Sequence, residues 1–390
     1  MNVYFDRKQK RFGLLSETKL VWGSNSLPLP VLPLSEHVDS YNMKVKNKKL
    51  GPVVGLLTSE HTEKPFAGNE ETFKRIHQKL QEKGGLPVVF TPSGWEANAV
   101  KGYFYCAHTA SWIQASFPRP DVIYNRVPTI KKEQKTEMQH FFSAISQENI
   151  PFFNPHFFTK WDTYCLLKGD EWLSQFLPET IHVSDEQPFQ RFLEIEKTAF
   201  LKPIYGNKGA GIFKITLEES GSIVCLGNQY RSKFSTFPRL WKAVSQLIST
   251  TPYLLQRAIP LNTISNKPYD FRVHVQQLQG SWTLAGIGVR SAGEKSITTH
   301  VPKGGEILST YQISPPINRQ RFEAISYRVG DMLSKAYGEI GEFSLDIGRD
   351  TSGHLWLFEV NSKPMIFDEP FIQQQGLTNL IQLFYEKSKF

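Results

Sequence analysis

Residues 342–361 read EFSLDIGRDTSGHLWLFEVN. Two apolar runs, 342–347 and 354–361, flank the turn-rich segment 348–353, the pattern of two strands joined by a hairpin loop. Strand side chains alternate faces, so Glu359 and Asn361 point the same way, and pairing the strands brings Asp346 beside them. Two carboxylates and an amide oxygen are hard donors suited to Mg²⁺, an ion normally shared with substrate phosphates. The same set also fits an acidic strand end that faces water. The choice turns on whether the rest of the chain supplies a cradle for phosphate.

Working upstream, the strongest local signal is FLKPIYGNKGAGI, residues 200–212. Gly206, Gly209 and Gly211, directly after a strand, let backbone amides approach an anion, with Lys208 among them. Lys202 at the strand end can neutralise an adjacent phosphate. A plain glycine hairpin turn is the structural alternative, and no G-x-x-x-x-G-K-[ST] loop occurs in the chain. Thr159-Lys160-Trp161-Asp162 resembles a capping box, which explains Thr159 and Asp162 and leaves Lys160 as a solvated lysine. The run 253–259, YLLQRAI, is an apolar strand that turns polar at its end. There the main chain of Gln256, Arg257, Ala258 and Ile259 can face a purine edge.

The run 269–275, YDFRVHV, puts Asp270, Arg272 and His274 on one face, which a cross-strand charge pair also explains. In the following strand Gly286, Gly288 and Arg290 share a face, so something packs closely against bare backbone beside a guanidinium. Arginine is the side chain of choice for clamping phosphate and carboxylate. The loop 298–305 adds polar residues, with His300 a loop donor rather than a catalytic base.

Composition bounds the reading. The chain has 390 residues, 40% hydrophobic and 21% charged, ordinary values for a soluble protein of two or three domains. Cys106, Cys165 and Cys225 are scattered with no C-x-x-C spacing, which argues against a disulfide framework or a zinc site and for a reducing cytosol. No apolar signal region and no 18-residue apolar run is present, so neither secretion nor membrane spanning is expected. The net charge of +8 would suit a polyanionic partner such as nucleic acid or an anionic envelope polymer. The only dense basic run, residues 44–49, reads as a solvated linker, and without a nucleic-acid motif a basic surface is the simpler account.

The expected organisation is mixed α/β. Residues 1–50 read as a small β-rich unit with a linker. Residues 51–150 alternate strand and helix (strands 52–59, 86–91 and 121–127; helices 69–83 and 131–147), the rhythm of a parallel α/β layer. No G-x-G-x-x-G follows the first strand, so dinucleotide binding is not indicated there. From about 151 strands dominate, with helices near 160–175, 237–249, 319–337 and 370–387.

Taken in order, Lys160, Lys202-Pro with the 206–211 glycines, the 256–259 joint, Asp270-Phe-Arg272, Arg290, Asp346 and Glu359-x-Asn361-x-x-Pro364 resemble the ATP-grasp enzymes over residues 150–390. Asp270-Phe-Arg272 and Glu359-Val-Asn361-Ser-Lys-Pro364 look most like the glutathione synthetase and ribosomal-protein glutamate ligase branch. More narrowly, VVGLLTS, PDVIYNRVP, PFFNPHFFTKW and YDFRVHVQ resemble the YheC/YheD family of endospore coat-associated proteins, nearly end to end.

The resemblance implies an ATP-grasp fold over residues 151–390, a lid at about 180–258, and a Rossmann-like pre-ATP-grasp domain before it. It implies that Lys160 and Lys202 bracket the ATP phosphates, that the 206–211 loop covers them, and that Gln256, Arg257, Ala258 and Ile259 meet adenine. Asp346, Glu359 and Asn361 would hold Mg²⁺. Arg290 would stabilise the transferring phosphoryl group, with Arg272 and Lys202 in the same machinery. The activity implied is ADP-forming ligation of a carboxylate to an amine or thiol through an acylphosphate, in the cytoplasm or at the spore coat of a spore-forming bacterium. The alternative is a coat protein that keeps the fold without turnover. Lys363 and Met365 depart from the family pattern, where the acceptor or the triphosphate tail would approach.

Overall fold

A computed structural model describes residues 1–33, 35–206, 210–227, 230–293, 305–364 and 367–390. Within them the strands form five sheets. The N-terminal runs pair as two small ones: Asn2–Asp6 lies between Arg11–Gly13 and Val38–Asn42, and Val21–Trp22 pairs with Leu27–Pro28 and Lys49–Gly51. Phe5, Phe12 and Trp22 pack with Val88, Phe104 and Phe117 of the next sheet in one cluster. The lysine-rich run is not a linker. Lys44–Lys46 and Lys49–Gly51 are the arms of a hairpin. Asn47 and Lys48 turn it with φ of 49° and 62°, the twist a two-residue hairpin needs.

The second layer follows the strand–helix rhythm. Val53–Leu57, Leu86–Trp95, Val122–Asn125 and Phe152–Phe153 run parallel, and every residue of Val53–Leu57 is buried, as a two-sided parallel strand should be. Asn69 caps the helix Glu70–Glu82 that crosses between the first two. Val100–Cys106 and Ser111–Phe117 extend this sheet as an antiparallel hairpin, an addition the strand–helix reading lacked. The helix expected over 131–147 is two pieces, Ile130–Glu133 and Thr136–Ile145. The first ends on Glu133, whose buried carboxylate is bonded to the Asn125 side chain and the Phe157 N–H.

Two antiparallel sheets follow. The first runs Thr180–Val183, Tyr253–Arg257, Thr198–Pro203, Phe213–Leu217, Ile223–Leu226, Arg231–Phe234. The helices Glu186–Glu196 and Phe237–Ile248 pack on it through Phe189, Leu193, Leu240 and Val244. The second runs Glu306–Leu308, Ser281–Ser291, Lys267–Leu278, Glu342–Arg349, Leu355–Asn361. Period-two alternation sends Phe271, Val273, Val275, Phe343, Leu345 and Ile347 to one face, where Phe322, Ile325, Val329 and Leu333 of the helix Arg319–Tyr337 cover them. The opposite face therefore carries Arg272, His274, Ser344 and Asp346. The C-terminal helix Pro370–Ser388 covers part of it: a side chain at Gly286 would meet Ile372, and one at Gly376 would meet His274.

Asn154 brackets this sheet. It is fully buried with φ of 55°. Its Oδ1 accepts from the N–H groups of Gly341 (2.8 Å) and Glu342 (3.3 Å). Its Nδ2 donates to the carbonyl of Glu342 (2.8 Å) and to that of Ser362. One amide thus fixes the start of Glu342–Arg349 to the end of the neighbouring strand. Asn154→Ala removes bonds to four backbone groups and is expected to cost about 3 kcal/mol. Urea unfolding measures this, and a cost under about 1 kcal/mol would show the bracket to be dispensable.

Candidate functional site

The hairpin expected at 342–361 forms, with Asp346 directly opposite Glu359 and Ser344 opposite Asn361. A β-bulge makes the arrangement possible. Ile347 pairs with Leu357, so Phe358 is an extra residue on its strand. Leu355 and Leu357 point into the core, and uninterrupted alternation would send Glu359 after them. The bulge shifts the phase: Val360 is buried instead, while Phe358, Glu359 and Asn361 face the cleft.

Asp346 is gripped by Arg272, whose Nη1 donates to Oδ1 at 2.6 Å and to Oδ2 at 2.7 Å, and Asn361 Nδ2 donates to Oδ2 at 3.2 Å. Burial opposes the Arg272 charge, but the charge and hydrogen bonds of Asp346, with Glu359 and Asp270 behind it, outweigh burial and raise its pKa. Glu359 meets Lys160 at 3.0 Å. Among the described residues no three His, Cys, Asp or Glu side chains group as metal ligands. The oxygen set here is two carboxylates and one amide.

Lys160 opens the helix Lys160–Lys168 after its Thr159 cap. Its Nζ also donates to the Gly206 carbonyl at 2.6 Å, so it reaches from the carboxylates to the start of the glycine loop. Lys202, near the end of Thr198–Pro203, donates to Gln256 Oε1 at 2.6 Å, and Gln256 Nε2 donates to Thr180 at 3.2 Å. Burial pushes the Lys202 pKa down to about 8, with Glu359 and Asp346 opposing the fall and Lys160 adding to it. A narrow cleft between the two antiparallel sheets is lined by Lys160, Lys202, Leu254, Gln256, Phe358 and Glu359. At its rim the N–H groups of Arg257 and Ala258 are already bonded to the carbonyls of Glu179 and Thr198. Ile259 lies just past the strand. Gly206 and Gly211 border the loop; Lys208, Gly209, His300 and Met365 lie outside the described residues.

Arg290 sits farther along the same face. The packing expected over Gly288 comes from Glu369: a Cβ on Gly288 would clash with its Oε1. Arg290 Nη2 is 3.4 Å from Asp368 and 4.0 Å from Glu369. Both Glu369 oxygens and Arg290 Nε are buried without a hydrogen bond. Lys363 departs from its expected place in the acceptor path. It is buried, with side-chain exposure of 3%, and pairs with Glu133 of the parallel-sheet layer.

Glu369, Asp368, Glu133 and Thr180 were missed from sequence. Glu369-Pro370 does carry a helix-start signal, but nothing local says that this helix start lies on Gly288.

Residues 149–390 match the family described as YheC/D-like ATP-grasp. Endospore coat-associated protein YheD of Bacillus subtilis (strain 168) is 29% identical over 341 residues, covering 82% of this chain and 75% of that protein. Endospore coat-associated protein YheC of the same strain is 23% identical over 302 residues, covering 74% and 83%. The crystal structure of D-alanyl-alanine synthetase A from Vibrio cholerae O1 biovar eltor str. N16961 superposes with a TM-score of 0.53 at 12% identity, covering 87% of this chain and 99% of that one. At that identity the likeness is one of fold, and the fold is ATP-grasp.

Proposed function

The chain belongs to the YheC/D-like ATP-grasp family, and from that premise we propose that it binds Mg-ATP and is an ADP-forming ligase joining a carboxylate to an amine or thiol. The observation that carries the reading is one cleft with lysines on one wall and paired oxygen donors on the other. Lys160 and Lys202 face Glu359 across it, with Asp346 paired opposite Glu359 and Asn361 two residues along the same strand.

Asp346, Glu359 and Asn361 suit magnesium by chemistry, since all their donors are hard oxygens. Both carboxylates already hold a cation, Arg272 or Lys160. Bound there, the metal would supply charge neutralisation at the phosphoryl oxygens. The remaining roles fall to the chain. Lys160 and Lys202 neutralise the triphosphate, the 206–211 loop covers it as part of a lid formed by residues 180–258, and the 256–259 joint receives adenine. Arg272 keeps Asp346 oriented. Arg290 turns from Asp368 and Glu369 to the phosphoryl group in flight. A substrate carboxylate oxygen attacks the γ-phosphorus as ADP leaves, and the amine or thiol then displaces phosphate from the acylphosphate. Such chemistry needs positioning and cations rather than a protein nucleophile.

ATP with Mg²⁺ should raise the melting temperature by several degrees at saturation, equivalent to about 3 kcal/mol at a hundredfold excess over Kd. ATP with EDTA should do markedly less. No shift in either condition would sink the reading.

The second reading is a coat protein without turnover. Arg290 is already balanced by Asp368 and Glu369, and the relatives are named for the endospore coat. ATP binding without ADP release across a screen of carboxylates and amines would favour it. No helix among the described residues is long and apolar enough to cross a membrane. We place the chain in the cytoplasm of a spore-forming cell, with spore coat components as partners.

A further inference from the structure

Beyond the nucleotide cleft, the same sheet face runs into a second cavity of about 80 Å³. By the room one ordered water needs, it can hold a group of several heavy atoms. Arg75, Tyr124, Arg126, His274, Glu342 and Gln373 line it. The cavity lies at the carboxyl end of Val122–Asn125, which pairs with one side of Val53–Leu57 while Leu86–Trp95 pairs with the other. That is the point where the connections of a parallel sheet part and where ligands of such sheets bind.

The arginine donors here are not used up by the described residues. Glu342 is the cavity's carboxylate, and it is fully engaged, accepting from Tyr124 OH, from Gln276 Nε2 at 2.8 Å, and pairing with His274 Nε2 at 3.1 Å. Burial would raise its pKa, but the His274 hydrogen bond and charge, with Arg126 and Tyr124, bring it down to about 2. Arg126 spends only Nη1, donating to Tyr124 OH at 3.1 Å and to the Pro364 carbonyl at 3.0 Å. Among the described residues its Nε and Nη2 edge has no protein acceptor, and no carboxylate lies within 4.0 Å of it. Arg75 gives Nε to Glu71 at 2.9 Å and Nη1 to Gln373, leaving Nη2. His274 Nδ1 is buried and unpartnered, on a side chain 8% exposed.

His274 and Glu342 follow the strands that carry Arg272 and Asp346, two and four residues away, roughly 7 and 13 Å along the sheet. We propose that the unspent Nε–Nη2 edge of Arg126 and the remaining Nη2 of Arg75 bind a carboxylate at the far end of the ligase substrate. That substrate is then an extended molecule with two acidic ends, one phosphorylated in the nucleotide cleft and the other anchored in this cavity. The fork geometry of guanidinium matches a carboxylate. The assignment of the reacting end rests on the Mg-ATP reading; the anion site does not.

The test titrates adipate against hexanoate, the same chain with one acid replaced by methyl, into the full chain with and without a non-hydrolysable Mg-ATP analogue. Adipate should bind and hexanoate should bind at least tenfold more weakly. Arg126→Gln should weaken adipate roughly ten- to a hundredfold, the loss of one charge-assisted fork, while the nucleotide analogue binds that variant as before. Arg75→Gln, at a more exposed position, should weaken adipate in the same direction and guards against misfolding of the first variant. No binding of either acid, or adipate binding indifferent to both substitutions, would overturn the proposal, and equal binding of adipate and hexanoate would overturn its two-ended substrate. Adipate binding without nucleotide binding would instead remove the Mg-ATP reading and leave the anion site standing.

Discussion

Lys202→Ala is expected to weaken Mg-ATP binding by roughly ten- to a hundredfold, because it removes a buried cation whose direct hydrogen-bond acceptor is neutral. The hydrogen-bond acceptor of Lys202 is the neutral Gln256, and the nearby rings of Phe200 and Phe358 lie 5.6 and 5.8 Å from its Nζ. Burial lowers the pKa to about 8, so the ammonium is poorly solvated and gains strongly from an arriving phosphate. Calorimetry across pH separates this from lost packing. In the native chain affinity should fall as pH rises from 7 to 9 and the ammonium deprotonates, and this dependence should be much weaker in Lys202→Ala. The stability effect has the opposite sense. Between about 8 and the ordinary lysine value the unfolded chain holds more protons than the folded one, so stability rises with pH over that window. Below it the buried charge is a constant cost that Lys202→Met should relieve in the nucleotide-free protein. A flat pH profile in the native chain, or equal affinity in the variant, would refute the assignment.

Long periodic segments were readable without a structure. The helix Arg319–Tyr337 and the strand Lys267–Leu278 lie where alternation and the 3.6-residue period put them, and Asp346 sits beside Glu359 as hairpin pairing requires. What stayed hidden is non-local. The bulge at Phe358 has no glycine or proline to mark it; it is what lets both Leu357 and Val360 reach the core. The short strands Ile223–Leu226 and Arg231–Phe234 owe their state to sheet neighbours rather than propensity. Gly286 and Gly288 signalled a close approach, but only the tertiary path of the C-terminal helix identifies Ile372 and Glu369 as what approaches. Lys160 read as a solvated lysine because neither Glu359 nor the Gly206 carbonyl is near it in sequence.

Lys363→Met is expected to destabilise the protein by about 3–5 kcal/mol, the usual result of stripping one partner from a buried ion pair. Lys363 and Glu133 are 3% and 5% exposed, and the buried Glu133 would be left with only the Asn125 amide and the Phe157 N–H at 2.8 Å as donors. Burial depresses the Lys363 pKa to about 8 against the pull of Glu133, with Arg126 adding to the fall. The pair is therefore strained by desolvation even when intact. A double-mutant cycle with Glu133→Leu exposes this: the double variant should be more stable than Lys363→Met alone, since no charge is left buried. It should still fall short of the native chain, because the Asn125 and Phe157 donors lose their acceptor. The consequence for the site follows from the chain path. Lys363 is two residues past Asn361, and Ser362 between them is held by Asn154 and by the Phe158 N–H at 3.3 Å. Releasing Lys363 loosens the strand end that carries Glu359 and Asn361, so Mg-ATP affinity should drop severalfold although Lys363 lines neither wall of the cleft. Native-like stability of Lys363→Met would show that the pair contributes no net attachment. A large loss of stability with unchanged nucleotide affinity would show that it joins the two layers without setting the geometry of the carboxylates.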